Sequence, residues 1–306
     1  MLKLRRLLFL LLLTTLPSFA AEKPKVRAIT AFVRLDRAQY QAQIRDTLGF
    51  LRKAKASLEK AGYEVETIRI STQPFPEYTR GLTRQQALAF FHEYDQFAAK
   101  ENFLAAIGPA MLADSDDPAQ AELLGEILKA NSNLDASLVV AGEDGVHWRA
   151  VRAAARLMKF LGEESAHSQG NFHFAATSML PEGTPFYPGS YHRGPGHSFA
   201  IALESANVVN EALASAPGDP VMARQALAAA LGAHARAIEA VALRLEKQSG
   251  WRYGGMDLSP APLKDVSIGA ALESFTGQRV GASGTLTAAA LITAAQIGRA
   301  SCRERV

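Results

Sequence analysis

The residues best suited to chemistry stand in a turn-rich run from Phe186 to Glu204, FYPGSYHRGPGHSFAIALE. His192 and His197 lie five positions apart there, with Arg193 beside the first of them. Because turn residues fix the backbone and leave few positions for packing, we expect these polar side chains to point out of the fold. Imidazoles act as acids, bases or metal ligands, and a guanidinium can hold a carboxylate or phosphate through two hydrogen bonds.

Ordinary structural roles compete with each of these assignments. Hydrogen bonding within a loop would explain either histidine alone, and no third metal ligand is set by the sequence, so a metal stays undetermined. Glu204 follows five apolar residues and is either a site residue at a strand end or the N-terminal charge of the next helix. Asp257 and Ser259 stand at a predicted strand end, where barrel enzymes place functional groups, but local capping explains them nearly as well.

The first 20 residues have the pattern of a secretory signal peptide. Lys3, Arg5 and Arg6 precede an apolar run over positions 7–13, and small residues lead to a predicted cleavage after Ala20. The apolar run is shorter than the ~20 residues that a membrane-spanning helix needs. We therefore expect a periplasmic or secreted protein with no membrane span after cleavage.

The last eight residues, 299–306, differ in character from everything before them. The ending IGRASCRERV resembles the translation of a sequencing adapter, so we expect a non-native tail and a C-terminally truncated fold. The tail contains Cys302, which is the only cysteine of the sequence. Without it the chain has no disulfide, no thiolate zinc site and no thiol nucleophile.

The basic isoelectric point comes from the two ends of the chain. The signal segment carries +3 and the tail, with three Arg and Glu304, carries +2, so the overall +3 leaves −2 for the residues between them. This balance gives no case for nucleic acid as a partner. A small-molecule ligand is the partner we expect, while the cofactor and the oligomeric state stay undetermined.

Strands and helices alternate along the chain, as in an α/β protein with parallel strands. Thr83 is predicted to cap a helix that runs to about Lys100, and Pro220 begins a long alanine-rich helix. No linker interrupts the pattern, which predicts a single α/β domain over residues 21–298. The predicted strands cover residues 26–33, 65–70, 103–107, 137–141 and 172–176.

A family resemblance rests on stretches of sequence spread over most of the chain: residues 68–74, IRISTQP; 198–205, SFAIALES; 255–262, GMDLSPAP; and 279–285, RVGASGT. They resemble the exported branch of an uncharacterised family whose fold is similar to the barrel of pyruvate formate-lyase and anaerobic ribonucleotide reductase. The resemblance implies an α/β barrel, but fold alone does not confer an activity. Glycyl-radical catalysis is not carried over, because that chemistry needs a cysteine and none occurs before position 302.

Two classes of function remain open. One is an enzyme that acts on a small polar or anionic metabolite, with His192 or His197 as acid, base or metal ligand and Arg193 as the anchor. The other is a non-catalytic ligand-binding or structural protein that kept the barrel. Because loops after parallel strands meet at one mouth of a barrel, we expect His192, Arg193, His197 and Asp257 to line one pocket there.

Overall fold

The computed structural model describes residues 23–261 and 266–296. The predicted signal peptide and the predicted tail both lie outside these ranges. The described strands are Lys25–Val33 (β1), Val65–Thr72 (β2), Leu104–Pro109 (β3), Leu134–Gly142 (β4), Gly145–Val146 (β5), Phe174–Ser178 (β6), Ser198–Glu204 (β7) and Arg252–Asp257 (β8). Each of the five predicted strands overlaps one of these.

The described helices are Tyr40–Lys60 (α1), Phe75–Tyr78 (α2), Arg84–Glu101 (α3), Ala119–Ala130 (α4), Trp148–Glu164 (α5), Ala206–Ala214 (α6), Pro220–Ser249 (α7), Ile268–Thr276 (α8) and Thr285–Gln296 (α9), with 3₁₀ turns at Ala166–His173. Thr83 caps α3 as predicted, through a capping box in which Thr83 and Gln86 each accept from the other's backbone amide. The helix α8 was not predicted from the sequence.

All eight strands belong to one mixed sheet, in the order β5-β4-β3-β2-β1-β7-β8, with β6 also paired to β4. The strands β1, β2, β3, β4 and β6 run parallel, as the alternation of strands and helices predicted. The strand β7 runs antiparallel to β1, and β8 runs parallel to β7. Within the described ranges the sheet is open, because no pairing joins β8 to β6. The barrel implied by the family resemblance is therefore not seen here.

One face of the sheet packs against helices and forms the main apolar core. Ile29, Ala31 and Val33 of β1 point to this core, together with Phe91 and Tyr94 of α3. A second apolar cluster joins α6, α8, α9 and the first half of α7. The helix α7 has residues in both clusters, and it is the described helix that is long and apolar enough to cross a membrane by length and composition. Its buried residues pack in these two apolar clusters.

Candidate functional site

The opposite face of the sheet is polar, and we call it the polar face. Thr30 and Phe32 alternate along β1 with the core residues, and both are fully buried outside the apolar core. Side chains alternate between the two faces of a strand, so the neighbouring strands contribute to the polar face in the same way. Its buried polar members are Thr30, Arg69, Ser71, Asp135, Ser137, Thr177, Ser198 and Glu204.

The register of the sheet brings several of these groups close together. Thr30 pairs with Arg69, and Phe32 pairs with both Ser71 and Ser198. Ser71 in turn pairs with Ala106, which pairs with Asp135 on the next strand. Successive strands lie about 4.8 Å apart, so Arg69, Ser71 and Asp135 occupy two adjacent rows near the middle of the sheet.

The connection between β6 and β7, residues 179–197, covers this part of the polar face, and we call it the cover segment. Its Ser190 Oγ lies 2.5 Å from Ser71 Oγ, and both side chains are fully buried. The His192 amide donates to the Thr72 carbonyl at 2.9 Å. The Tyr187 ring lies over the Arg69 guanidinium, 4.5 Å from ring centroid to Cζ. The cover segment is thus fixed to β2 at three places.

Arg69 is the most unusual charge of the site. It is only 9% exposed, and burial lowers the pKa of its guanidinium. Its Nε donates to Thr67 Oγ1 at 3.2 Å, and the cation–π contact with Tyr187 stabilises the charge further. No ion pair within 4 Å joins Arg69 to a carboxylate in the part of the chain that the structure describes. A nearly buried guanidinium without a contacting anion is costly, because the charge has lost most of its water.

Two hydroxyl groups on the polar face also lack partners. Thr30 Oγ1 and Ser137 Oγ are buried and make no hydrogen bond to any described residue. A buried polar group without a partner costs about 1–3 kcal/mol, so such groups are rare in native proteins. Together with Arg69 they provide hydrogen-bond donors without an acceptor on one face of the sheet.

A histidine–carboxylate pair borders the same region. Asp135 is 4% exposed, and its Oδ1 lies 3.2 Å from Nδ1 of His173. This hydrogen bond raises the pKa of His173 above its usual value of 6.5, against the opposing effect of burial. A histidine that is hydrogen-bonded to a carboxylate in this way can act as a general acid or base. Burial raises the pKa of the nearby Tyr187 well above its usual value, so its phenol stays protonated.

The structure separates the side chains of the predicted histidine loop. His192 is only 5% exposed, so the expectation that it points out of the fold is wrong. His192 lies within the cover segment, and its backbone amide is hydrogen-bonded to the Thr72 carbonyl at the end of β2. Arg193 and His197 are exposed, as predicted. The His197 ring packs 4.4 Å from the Trp251 ring and borders a shallow pocket beside α1.

Asp257, Ser259 and Glu204 lie at the other end of β7 and β8, so the prediction of one shared pocket is wrong. The register pairs Ser198 with Arg252 and Ala202 with Asp257. The loop with His192 and His197 precedes β7, whereas Asp257 ends β8. Because these two strands are parallel, the histidines and Asp257 lie at opposite ends of the strands. The prediction assumed that every polar loop follows a strand of a parallel barrel. The antiparallel insertion of β7 against β1 breaks that assumption.

The second group makes local contacts of its own. Asp257 Oδ1 accepts hydrogen bonds from the Ser259 amide at 2.8 Å and from its hydroxyl at 2.5 Å, which is the capping role considered above. Glu204 is 6% exposed, and its register partner on β1 is Lys25. Burial, followed by the proximity of Glu66, raises the pKa of Glu204 to about 7.

No group of three or more His, Cys, Asp or Glu residues is arranged to hold a metal ion within residues 23–261 and 266–296.

The groups that sequence reasoning missed are Arg69, Asp135, His173, Tyr187 and Ser190. One signal was available: Arg69 occupies a polar position in a strand whose flanking residues are Ile68 and Ile70. Residues 68–74 around it were interpreted only as part of the family resemblance.

Comparison with known proteins agrees with the family resemblance. Residues 19–301 match the family model described as Uncharacterised ACR (DUF711). A UPF0210 protein of Pyrobaculum islandicum is 30% identical over 267 residues, which cover 82% of this chain and 58% of that protein. Its counterpart in Pyrobaculum arsenaticum is 30% identical, with 88% and 64% covered. A UPF0210 protein of Bifidobacterium longum is 30% identical, with 69% and 49% covered. The chain thus spans about half to two thirds of the length of these relatives.

Proposed function

The chain belongs to the Uncharacterised ACR (DUF711) family, and we propose that it binds a small anionic metabolite on the polar face, beneath the cover segment. The observation that carries this proposal is the nearly buried Arg69 guanidinium with no contacting carboxylate among the described residues. A carboxylate or phosphate group would accept two parallel hydrogen bonds from its planar fork. Such an anion would replace the hydration that the guanidinium has lost.

The groups around Arg69 suit the recognition of a polar ligand. The hydroxyl of Thr30, the register partner of Arg69 on β1, would donate to one of its oxygens and so gain a partner. The His173–Asp135 pair would supply a general acid or base for an enzyme of this kind. His192, held in the cover segment, is the histidine of the predicted loop that we propose to take part in the site.

The other predicted residues have different places in this proposal. Arg193 would attract the anion from the exposed part of the cover segment. His197 lies beside Trp251. Asp257, Ser259 and Glu204 lie at the opposite ends of the strands β7 and β8. These four residues stay candidates for a function that the polar-face ligand does not involve. The alternative to an enzyme is a binding protein that uses Arg69 but moves no proton.

Thermal unfolding with a panel of anions tests the proposal. We expect a dicarboxylate or a phosphate monoester to raise the melting temperature of the wild-type chain, because a ligand that binds the folded state stabilises it by mass action. The shift should be lost in Arg69→Gln and kept in Arg236→Gln, which removes an exposed arginine from α7 on the helix side of the sheet. Comparing the shifts, rather than the melting temperatures, allows for a stability change caused by the substitution itself.

Two outcomes would overturn the proposal. One is the lack of any response of the wild-type chain to the panel, and the other is an equal response in Arg69→Gln. If a ligand is found, His173→Gln separates the two classes of function. An enzyme would keep its affinity and lose turnover, whereas a binding protein would show no turnover in either form.

We also propose that the sheet closes into a barrel in a longer chain. The relatives extend beyond the part that this chain matches, and β8 and β6 are the two open edges of the described sheet. Amide hydrogen exchange can test this in a full-length relative. Protection on both sides of the strand that corresponds to β8 would support closure, and fast exchange at its outer amides would contradict it.

Export to the periplasm or the medium is proposed on the pattern of residues 1–20. The secreted product should then begin at Ala21 or Glu22 on N-terminal sequencing. An intact species that starts at Met1 and stays in the cytoplasm would contradict it.

A further inference from the structure

A groove between α4 and α5 lies on the helix side of the sheet, away from the polar face. Its volume is about 430 Å³, which is within the usual range for small-molecule sites. The α5 wall presents Arg149, Arg152 and Arg156, whose spacings of three and four residues place them on one side of the helix. We call this feature the arginine groove.

The arginine groove carries an excess of positive charge. Arg84 at its end forms two hydrogen bonds with Glu126, at 3.0 and 2.6 Å, so these two charges neutralise one another. Three α5 arginines then face the single remaining carboxylate, Glu122, which leaves a net charge of +2.

Two of the three arginines have free guanidinium groups. Arg149 donates to the carbonyl of Asp114 at 3.0 Å. Arg152 and Arg156 are exposed and make no ion pair or side-chain hydrogen bond with the residues that the structure describes. They stand four residues apart, so one ligand group can reach both forks.

The base of the groove is apolar. Leu157 is buried and Phe160 is half-buried, and Ala121 and Ala153 add small apolar surface beside them. Gly125 brings α4 close to α5, because a Cβ at that position would lie 2.9 Å from Phe160 Cδ1. A ligand in the groove therefore meets apolar surface below and guanidinium groups at the rim.

We propose that the arginine groove binds an amphipathic organic anion, with an alkyl or aromatic body on the apolar base and a carboxylate or phosphate head between Arg152 and Arg156. The apolar body gains from leaving water, and the head gains charge-assisted hydrogen bonds. This site is separate from the polar-face site and does not depend on it. A polar metabolite fits Arg69, whereas the arginine groove requires an apolar body.

Calorimetric titration of the 306-residue chain with octanoate tests the proposal. We expect one octanoate per chain in the wild type, and an affinity weaker by about tenfold in Arg152→Gln/Arg156→Gln, because the two lost charge-assisted hydrogen bonds together contribute about that much at an exposed site. The matched control, Arg224→Gln/Arg236→Gln, removes two exposed arginines from α7 and should bind as the wild type does. Arg156→Lys keeps the charge but loses the fork, so its affinity should be intermediate.

Two further probes separate the contributions of charge and apolar body. Acetate lacks the body and octylammonium has the opposite charge, so both should bind at least about tenfold more weakly than octanoate. Octanoate that bound at Arg69 instead would bind equally well in Arg152→Gln/Arg156→Gln, which keeps this test apart from that of the polar face. The proposal is overturned if the wild type does not bind octanoate, if the double variant binds it as tightly, or if either control probe binds as well.

Discussion

Replacing Gly108 with alanine should destabilise the protein far more than the same change at Gly81. Both glycines have a left-handed backbone, with φ of +76° and +80°. An alanine in that region costs about 1–2 kcal/mol at either position. Gly81 is exposed and has nothing within 4 Å of an added Cβ, so it measures this backbone cost alone.

Gly108 carries a second cost, because β3 passes very close to the end of β2 there. A Cβ at position 108 would lie 2.4 Å from the Gln73 carbonyl oxygen and 2.8 Å from the Pro74 nitrogen. These are backbone atoms, and two hydrogen bonds hold Gln73 in place: its Oε1 accepts from the Leu35 amide at 2.9 Å, and its Nε2 donates to the Leu35 carbonyl at 2.8 Å. Forcing the strands apart should cost a further 1–3 kcal/mol or so, as other overpacked sites do.

The expected loss is therefore about 2–5 kcal/mol for Gly108→Ala and about 1–2 kcal/mol for Gly81→Ala. Urea unfolding followed by circular dichroism would measure both values under the same conditions. Thr72, which precedes Gln73, accepts the hydrogen bond from His192, so Gly108→Ala should also make the cover segment easier to cleave with protease. Equal losses in the two variants would refute the close approach of β3 to β2.

Two further predictions concern buried polar contacts. Ser190→Ala leaves the Ser71 hydroxyl buried without its partner and should cost about 1–3 kcal/mol, while Ser71→Ala/Ser190→Ala should cost less than the sum of the single changes. Additive losses in a double-mutant cycle would contradict the pairing. Protonated His147 should stabilise the fold below about pH 6.5. Its contribution to the free energy of unfolding should fall as the pH rises through the pKa of His147 in the folded state. The reason is that its hydrogen bond to Asp144 raises the pKa of His147, and folding therefore favours the protonated ring. The unfolding midpoint of His147→Gln should depend less on pH above 6.5 than that of the wild type, and parallel curves would count against this contact.

The sequence by itself determined which segments form strands and helices over much of the chain. Pro220 marked the start of α7, and the predicted strand over residues 26–33 is β1. Thr83 marked the start of α3 because its capping box is formed by residues only three positions apart. These signals are local, so they can be read without knowing the tertiary structure. The helix α8 had no comparable signal and was missed.

The direction of β7 could not be derived from local signals. The 19 residues of the cover segment contain turns but nothing that says which way the chain returns to the sheet. The family resemblance implied a barrel, and the prediction of one pocket treated all strands as parallel. Because β7 pairs antiparallel to β1, His192 and Asp257 lie at opposite ends of the strands.

The candidate site also depends on tertiary contacts. The alternation of residues along β2 indicates that Arg69 and Ser71 share a face, but not whether that face meets water or protein. Only the folded chain brings Tyr187 over Arg69 and Ser190 against Ser71, from more than 110 positions away. Burial by the cover segment turns an ordinary strand arginine into a desolvated charge, and it does so because residues distant in the sequence exclude water from it.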